Sequence, residues 1–420
     1  MTPAARLQSA IEILDALEQT NRPADRFLRD WFRVRRYAGA KDRAAVGERV
    51  FSVQRRRASL AWRMNDESPR ALVLASLAAE GCDVAVIELL FSGNGYGPPP
   101  LSDAERAALS SPRRDAPPLW VQREFPPFLE HELTRSLGQN LLDEMRAMGE
   151  RAPIDLRANT LKASRDDVLA ELRAEGFAAE ATPCAPHGIR IVEHAGASAL
   201  SRSRAYLDGR FEFQDEAAQI ASLLCAAKPG ERILDPAAGA GGKALAIAAE
   251  MSNRGLIVAR DYDPTRLAQF APRAARAGVT IIREEAAGAD MPDPAFDTVF
   301  VDAPCSGSGA WRRQPEQKWR LTPQRLAELQ SIQDQLLDEA ARAKTVRIVY
   351  ATCSLLACEN EDRVSAFLAR HPEFVIRPVA DVWSEATGTP PSPGMHDFFR
   401  ATPNTTGTDG FFAAVLARQD

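Results

Sequence analysis

The chain has 420 residues, 45 % of them hydrophobic and 26 % charged, with a formal net charge of −5, which is ordinary globular usage with room for two or three domains. Its six cysteines form no CxxC pair and share no metal-ligand spacing with the five histidines, so a disulfide scaffold and a metal site are both disfavoured. No apolar run has the length of a membrane span, and the N-terminus leads into an amphipathic pattern rather than an apolar signal core, so a cytoplasmic location is expected.

Leu7, Ile11, Leu14 and Leu17 recur at helical spacing, Phe27, Leu28, Trp31 and Phe32 begin a second such segment, and residues 72–90 form an alanine-rich third. Residues 1–92 therefore read as an all-helical domain. Its first 63 residues hold 14 Lys and Arg against 7 Asp and Glu, clustered from Arg33 to Arg57. Such asymmetry fits either nucleic-acid contact or a solvated helical surface. Trp31, Phe32 and Trp62 read as core aromatics. Residues 93–118, rich in Gly and Pro, read as a linker with one short helix at Asp103–Leu109.

Residues 119–205 read as a small α+β unit. A helix opens near Pro127, a strand follows at Ile154–Ala158, Ser164 caps a second helix, and a returning strand runs over Gly188–Val192. Arg157, Asn159 and Lys162 are either phosphate contacts or solvated polar positions. From residue 206 to 420 strands and helices alternate: Ile233-Leu234, a helix at Ala244–Met251, Leu256–Ala259, a helix at Pro264–Ala277, Val279–Ile282, Phe296–Val301, a helix at Arg325–Ala343, and Arg347–Thr352. The expected fold is α/β with a mostly parallel, Rossmann-like sheet.

Three strand ends carry the chemistry. The first opens the loop Ala237-Ala238-Gly239-Ala240-Gly241-Gly242-Lys243. It is not a P-loop, since Ala237 stands where the first glycine belongs, and it does not fit the dinucleotide pattern. The next strand ends in Asp261, where nucleotide folds hold ribose hydroxyls, and a third ends in Glu284-Glu285. A glycine loop followed by strand-end acids suits an adenosine cofactor without phosphates, such as S-adenosylmethionine. Further on, one strand ends in Asp302-Ala303-Pro304-Cys305-Ser306-Gly307 and another in Thr352-Cys353-Ser354. For either cysteine alone, a small buried hydrophobe is the ordinary reading. Two thiols at two strand ends point to one shared crevice instead.

These stretches, with Arg312-Arg313-Gln314-Pro315-Glu316, Glu359-Asn360-Glu361 and Asp409–Ala414, resemble the signature of the Sun/Fmu-type RNA 5-methylcytosine methyltransferases, bacterial rRNA branch. The likeness is strong over residues 205–420 and weaker over residues 155–162. The helical start is similar, in helix content and charge, to a NusB-like RNA-binding domain. The resemblance implies a class I methyltransferase domain, S-adenosylmethionine as cofactor and RNA as partner, with 16S rRNA favoured over tRNA and a monomeric enzyme. The alternatives are an idle RNA-binding assembly factor on the same fold and a methyltransferase acting on protein or a small molecule, which leaves the paired cysteines unexplained. The resemblance implies Cys353 as the nucleophile that adds to cytosine carbon 6, Cys305 as the residue that helps release the product, and Asp302 as the contact to the cytosine edge and the cofactor region. Lys243 lines the active site, Ala237 to Lys243 hold the methionine part of the cofactor, and Asp261 holds the ribose. Glu285 falls where the family usually has Asp near the adenine.

Overall fold

The computed structural model describes residues 1–111, 113, 115–192, 197–287 and 295–419. Two positions of the expected loop at residues 110–118 (112 and 114) lie outside these. Among the described residues no helix is long and apolar enough to cross a membrane. The chain divides into two compact units.

The first unit comprises Met1–Thr134, Gly138–Glu150 and Trp311–Leu321. Its helices Pro3–Glu18, Ala24–Arg33, Ala40–Arg55, Arg57–Met64 and Pro69–Ala79 share one core. Pro3–Glu18 starts on Thr2, whose hydroxyl accepts the Ala5 N–H, with Pro3 at the first helical position, where a missing N–H costs nothing. Every residue from Ala71 to Leu77 is buried, which makes Pro69–Ala79 the central helix. The helix expected over residues 72–90 is two helices, because Gly81 takes a left-handed conformation and ends the first one. Residues 93–118 contribute Leu101 and Leu109 to the same core, the latter on a helix at Asp103–Ser110 capped reciprocally by Ser102 and Glu105. Phe32 is buried, while Trp31 and Trp62 are half-buried beneath the guanidinium groups of Arg35 and Arg113, each 3.7 Å from the ring centre.

Two acids from far along the chain close helix ends in this unit. Pro23 precedes the helix Ala24–Arg33 and offers no side-chain cap; the Glu316 carboxylate accepts the Ala24 N–H instead, at 3.0 Å. Arg56 likewise offers none to Arg57–Met64, and Glu124 accepts the Ala58 and Ser59 N–H groups at 2.8 and 3.1 Å. Trp319 donates its indole N–H to the Gln54 carbonyl at 2.7 Å, and Arg320 reaches the carbonyls of Leu17 and Arg22. Lys318, fully buried beside Glu124, is pushed down to about 8 by that burial.

The second unit comprises Arg135–Leu137, Arg151–Ala310 and Thr322–Asp420. It opens with a four-stranded antiparallel sheet of order β2-β3-β1-β4, built from β1 (Ile154–Ala158), β2 (Ala179–Ala181), β3 (Gly188–Ile191) and β4 (Phe211–Phe213). Arg157 and Asn159 are buried, and Asn159 donates to the carbonyls of Gly209 and Ala277. Lys162 is spent on the carbonyls of Asp208 and Arg276. These three residues serve the fold.

The larger sheet contains β5 (Arg232–Asp235), β6 (Leu256–Asp261), β7 (Ile282–Ala286), β8 (Thr298–Asp302), β9 (Arg347–Thr352), β10 (Phe374–Arg377), β11 (Phe399–Ala401) and β12 (Phe411–Arg418). Its order is β10-β12-β9-β8-β5-β6-β7, with β11 beside β12. The five strands β5 to β9 pair in parallel, whereas β12 runs antiparallel to β9, β10 and β11. Successive strand residues alternate between two cores: Ile233, Ile257, Phe300 and Val349 face the helices Glu216–Leu223 and Gly242–Glu250, while Leu234, Val258, Val299 and Ile348 face Pro323–Arg342 and Glu361–Arg370. Burial on both faces is why these strands are apolar without alternation.

Two expected boundaries move. The strand expected at Val279–Ile282 is β7, Ile282–Ala286, an edge strand whose exposed Arg283 and Glu284 leave no apolar run to read. The helix expected over Pro264–Ala277 is two, Pro264–Leu267 and Phe270–Ala277, with Pro272 in the first turn of the second. The distant cap yields a first prediction. Glu316→Ala should lower stability by about 1–2 kcal/mol, in the range of a lost N-cap, while Glu316→Gln, which keeps an acceptor, should lose less. Chemical denaturation of both variants measures this; equal curves for all three proteins would remove Glu316 as a cap.

Candidate active site

Strand order reverses at β5, whose neighbours are β6 on one side and β8 on the other. The carboxyl ends of strands at such a reversal form the crevice where open α/β sheets bind ligands. All the predicted site residues of the second unit lie along this edge, at the carboxyl ends of β6, β7 and β8 or in the segments that follow β5, β8 and β9.

The loop after β5 turns on Gly239 and Gly241, both left-handed. A side chain at Gly241 would run into the Phe270 ring, and one at Gly239 into Arg266. Arg273 holds the loop from outside by donating to the Ala240 carbonyl at 2.7 Å; Glu212 on β4 holds Arg273 in turn at 2.9 Å. Gly242 and Lys243 then start the helix Gly242–Glu250. Asp261 ends β6 nearly buried, and its carboxylate accepts the Gly239 N–H at 2.7 Å and the Asp263 N–H at 2.8 Å. It thus ties the glycine loop to the next strand and keeps further acceptor capacity on each oxygen. Beside it lies a cleft of about 580 Å³ lined by Asp261, Tyr262, Pro264, Leu267, Glu284 and Glu285. Glu285 is engaged at 2.7 Å by Arg260, itself buried, and at 2.7 Å by Arg283. Close-approach glycines, a strand-end carboxylate and an adjoining half-apolar cleft fit an adenosine-bearing cofactor.

Lys243 and Asp302 meet across the reversal, with the ammonium 2.6 Å from the carboxylate. The Lys243 nitrogen also lies 5.3 Å from the centre of the Phe411 ring. Burial alone would push the Lys243 ammonium down, but Asp302, aided by Cys353, raises it overall. Asp235, fully buried at the end of β5, is pushed up to about 8 by burial and by the neighbouring Asp302.

The two thiols come together: Cys305 and Cys353 stand with their sulfurs 3.4 Å apart, both half-buried. The hydrogen bond with Cys353 is the largest cause holding Cys305 well above the usual thiol range, with burial second. Their loops are locked to each other. The Gly309 N–H donates to the Cys353 carbonyl at 2.9 Å, and the Gly410 N–H to the Gly309 carbonyl at 2.9 Å. This approach needs glycine at 309, since a side chain there would enter the Gly410 carbonyl. Sequence reasoning passed over Ser306, Ser354, Gln333 and the role of Glu359, which meet under the thiols. Ser306, Ser354 and Glu359 carried a signal only as parts of the family-signature stretches, and Gln333 carried none.

Asp235 gives a pH prediction. Its folded value near 8 lies above the ordinary carboxyl value of about 3.9, so the folded state binds this proton more tightly than the unfolded state. The stabilisation is full below about pH 4, declines as pH rises towards 8 by at most about 1.4 kcal/mol per pH unit, and is gone above that. Asp235→Asn, which cannot ionise, should show a melting temperature that gains on the wild type between about pH 6 and pH 8. Parallel melting curves across that range would place the titration elsewhere.

Residues 222–417 match the family described as 16S rRNA methyltransferase RsmB/F, and residues 125–197 match its ferredoxin-like domain. The ribosomal RNA small subunit methyltransferase B of Klebsiella pneumoniae is 33 % identical over 301 residues, 70 % of this chain and 66 % of that protein. The chain thus spans just under two thirds of that relative's length. The Sodalis glossinidius protein of the same name is 32 % identical over 325 residues, 76 % of this chain and 69 % of that one. A mouse 28S rRNA (cytosine-C(5))-methyltransferase is 31 % identical over 312 residues, covering 68 % and 67 %. The solved structure of PH0851 superposes over 100 % of this chain and 99 % of its own with a TM-score of 0.78 at 24 % identity, a likeness of fold. On these grounds the chain belongs to the RsmB/F methyltransferase family.

Proposed function

We propose that this protein is an RNA (cytosine-5)-methyltransferase that uses S-adenosylmethionine to methylate a cytosine of small-subunit ribosomal RNA in the cytoplasm. The observation that carries the reading is the pair of sulfurs 3.4 Å apart at the strand-order reversal, beside the Lys243–Asp302 pair. Ala237 to Lys243 would hold the methionine part of the cofactor, Asp261 the ribose hydroxyls, and Glu285 the adenine end of the cleft. Bound there, the cofactor supplies an electrophilic methyl group.

Carbon 5 of cytosine is a weak nucleophile. The Cys353 thiolate adds to carbon 6 and turns the ring into an enamine, which makes carbon 5 nucleophilic; one hard step becomes two easier ones. As the thiolate adds, ring nitrogen 3 takes up a proton from solvent; the Asp302 carboxylate then accepts from that N–H and from the exocyclic amine, and Lys243 holds the carboxylate in place. Cys305 then takes the carbon 5 proton, and the electrons of that bond expel Cys353. The timing follows from the thiol pair. Cys305 is held protonated chiefly by its partner. Once the Cys353 sulfur is bonded to carbon and neutral, the largest of these causes is gone; the Cys305 thiol then passes its own proton to solvent, and its thiolate is the base that takes the carbon 5 proton. The target base must leave its stack to reach the crevice. The first unit supplies RNA contact through exposed arginines such as Arg29 and Arg33, an attraction that weakens with salt.

Two experiments test the reading. Cys353→Ala should be inactive and form no covalent complex with RNA, whereas Cys305→Ala should accumulate a slowly migrating RNA–protein band on a denaturing gel, more strongly when S-adenosylmethionine is present. A band from Cys353→Ala alone would reverse the two roles, and full activity in both variants would end the covalent mechanism. Asp261→Ala should weaken S-adenosylmethionine binding several-fold or more by calorimetry, because a nearly buried acceptor is lost; unaltered affinity would remove Asp261 from the cofactor site.

A further inference from the structure

Beneath the two thiols lies a carboxylate that the proposed chemistry does not use. Glu359 is fully buried, in the turn that follows the Cys353 loop. One of its oxygens accepts the Ser306 N–H at 2.8 Å and the Gln333 side-chain N–H at 3.0 Å. The other accepts the hydroxyls of Ser306 and Ser354, both at 2.5 Å. Four donors meet four lone pairs, so the group is saturated. The placement of the donors matters most. Ser306 directly follows Cys305 and Ser354 directly follows Cys353, and the two residues come from loops on neighbouring strands. Gln333 adds a third element, since the same side-chain N–H₂ also donates to the Pro304 carbonyl at 2.9 Å, on the other side of Cys305. The Glu359 backbone is fixed as well, its carbonyl accepting the Tyr350 hydroxyl at 2.6 Å from within β9.

We infer that Glu359 is the positioning residue of the thiol pair: its carboxylate clamps the residues after both cysteines and thereby sets the sulfur–sulfur separation on which product release depends. It touches neither substrate nor cofactor and acts through the two loops. The loops are not equally dependent on it. The Cys353 loop has further ties of its own, the Ser354 N–H donating to the Thr352 hydroxyl at 3.2 Å and the Asn360 side-chain N–H donating to the Ser354 carbonyl at 2.9 Å. The Cys305 loop loses two direct bonds when Glu359 is removed, and Gln333 loses the partner that orients it toward Pro304. Loss of the clamp therefore displaces Cys305 more than Cys353, and it slows release more than attack.

The inference rests on the methyltransferase reading above, and the experiment separates the two. Glu359→Ala in the full chain should bind S-adenosylmethionine within about twofold of wild type, turn over at least about tenfold more slowly, and accumulate the covalent RNA complex as Cys305→Ala does. Glu359→Gln should restore most of the turnover, because its amide oxygen can accept from Ser306 and Gln333 while the two serine hydroxyls rotate to accept from its N–H₂. A second readout needs no RNA. Diamide oxidises two thiols to one disulfide while its diazene is reduced to a hydrazine, so the Cys305–Cys353 link appears as a mass loss of about 2 Da. It should form rapidly in the wild type, at least about tenfold more slowly in Glu359→Ala, and near the wild-type rate in Glu359→Gln. Gln333→Met, a milder break in the same clamp, should shift both readouts in the same direction and serves if Glu359→Ala does not fold. Wild-type turnover with unaltered cross-linking in the variants would overturn the inference, as would loss of activity in step with loss of cofactor affinity. If the wild type methylates no RNA cytosine, the functional reading falls while the cross-linking rates still decide the clamp.

Discussion

A parallel sheet covered by helices on both faces has only its edges left for chemistry. In this chain β5, β6, β8 and β9 are buried at every residue but one half-buried end each, so whatever their residues do must be done where they stop. Chain reversal at β5 opens a gap between the loops that follow β5 and β8, and the turn residues fill it from both sides. The glycine loop, Asp261, Asp302 and the two cysteines belong to one crevice because a single topological rule puts every strand's exit on the same side. The antiparallel β12 follows a different logic: it arrives from the opposite direction, so its start, at Gly410-Phe411, lies beside the exits of its parallel neighbours.

That crevice concentrates acids. Asp235, Asp261 and Asp302 come from three adjacent strand ends, with Lys243 among them. Three carboxylates around one ammonium would repel, and the arrangement relieves this by keeping Asp235 neutral near pH 7, fully desolvated and hydrogen-bonded to the Ala237 N–H. Of the groups that remain, Lys243 and Asp302 are paired. Asp261 spends part of its capacity on backbone N–H groups, which is also what gives the glycine loop its shape. In the proposed function, cofactor binding and loop architecture would be two uses of one side chain.

The parts of the site legible in the sequence were those where burial forces a simple pattern. Val299 and Ile348 lie in strands covered on both faces, so their neighbours are apolar, and the polar residue that ends each run stands out. β7 lies at the sheet edge, where Arg283 and Glu284 face solvent, and its start was misread by three residues for that reason. The turn chemistry of Ser102 and Ser164 was local, and Ser164 was read correctly as a cap. Convergence was not legible. Glu359 meets Ser306 from 53 residues away and Gln333 from 26, and no periodicity links them. Arg157 and Asn159 looked like surface donors because polar side chains in and just after a short strand give no sign of burial; only the carbonyls of Gly209 and Ala277 explain Asn159.

The segment Trp311–Leu321 lies directly after the Cys305 loop, yet it is counted with the helices of the chain's beginning. Its bonds to Ala24, Gln54 and Leu17 span 292, 265 and 303 residues. On the ribosome, the first unit must therefore wait with an uncapped helix and open carbonyls until three quarters of the polypeptide has been made. Contacts of such long separation close late and slowly. Neither unit can be cut free at a single point in the sequence. The completion of the arginine-bearing helices and the emergence of the Cys305 loop are consecutive events in synthesis, a dozen residues apart along one strand of chain.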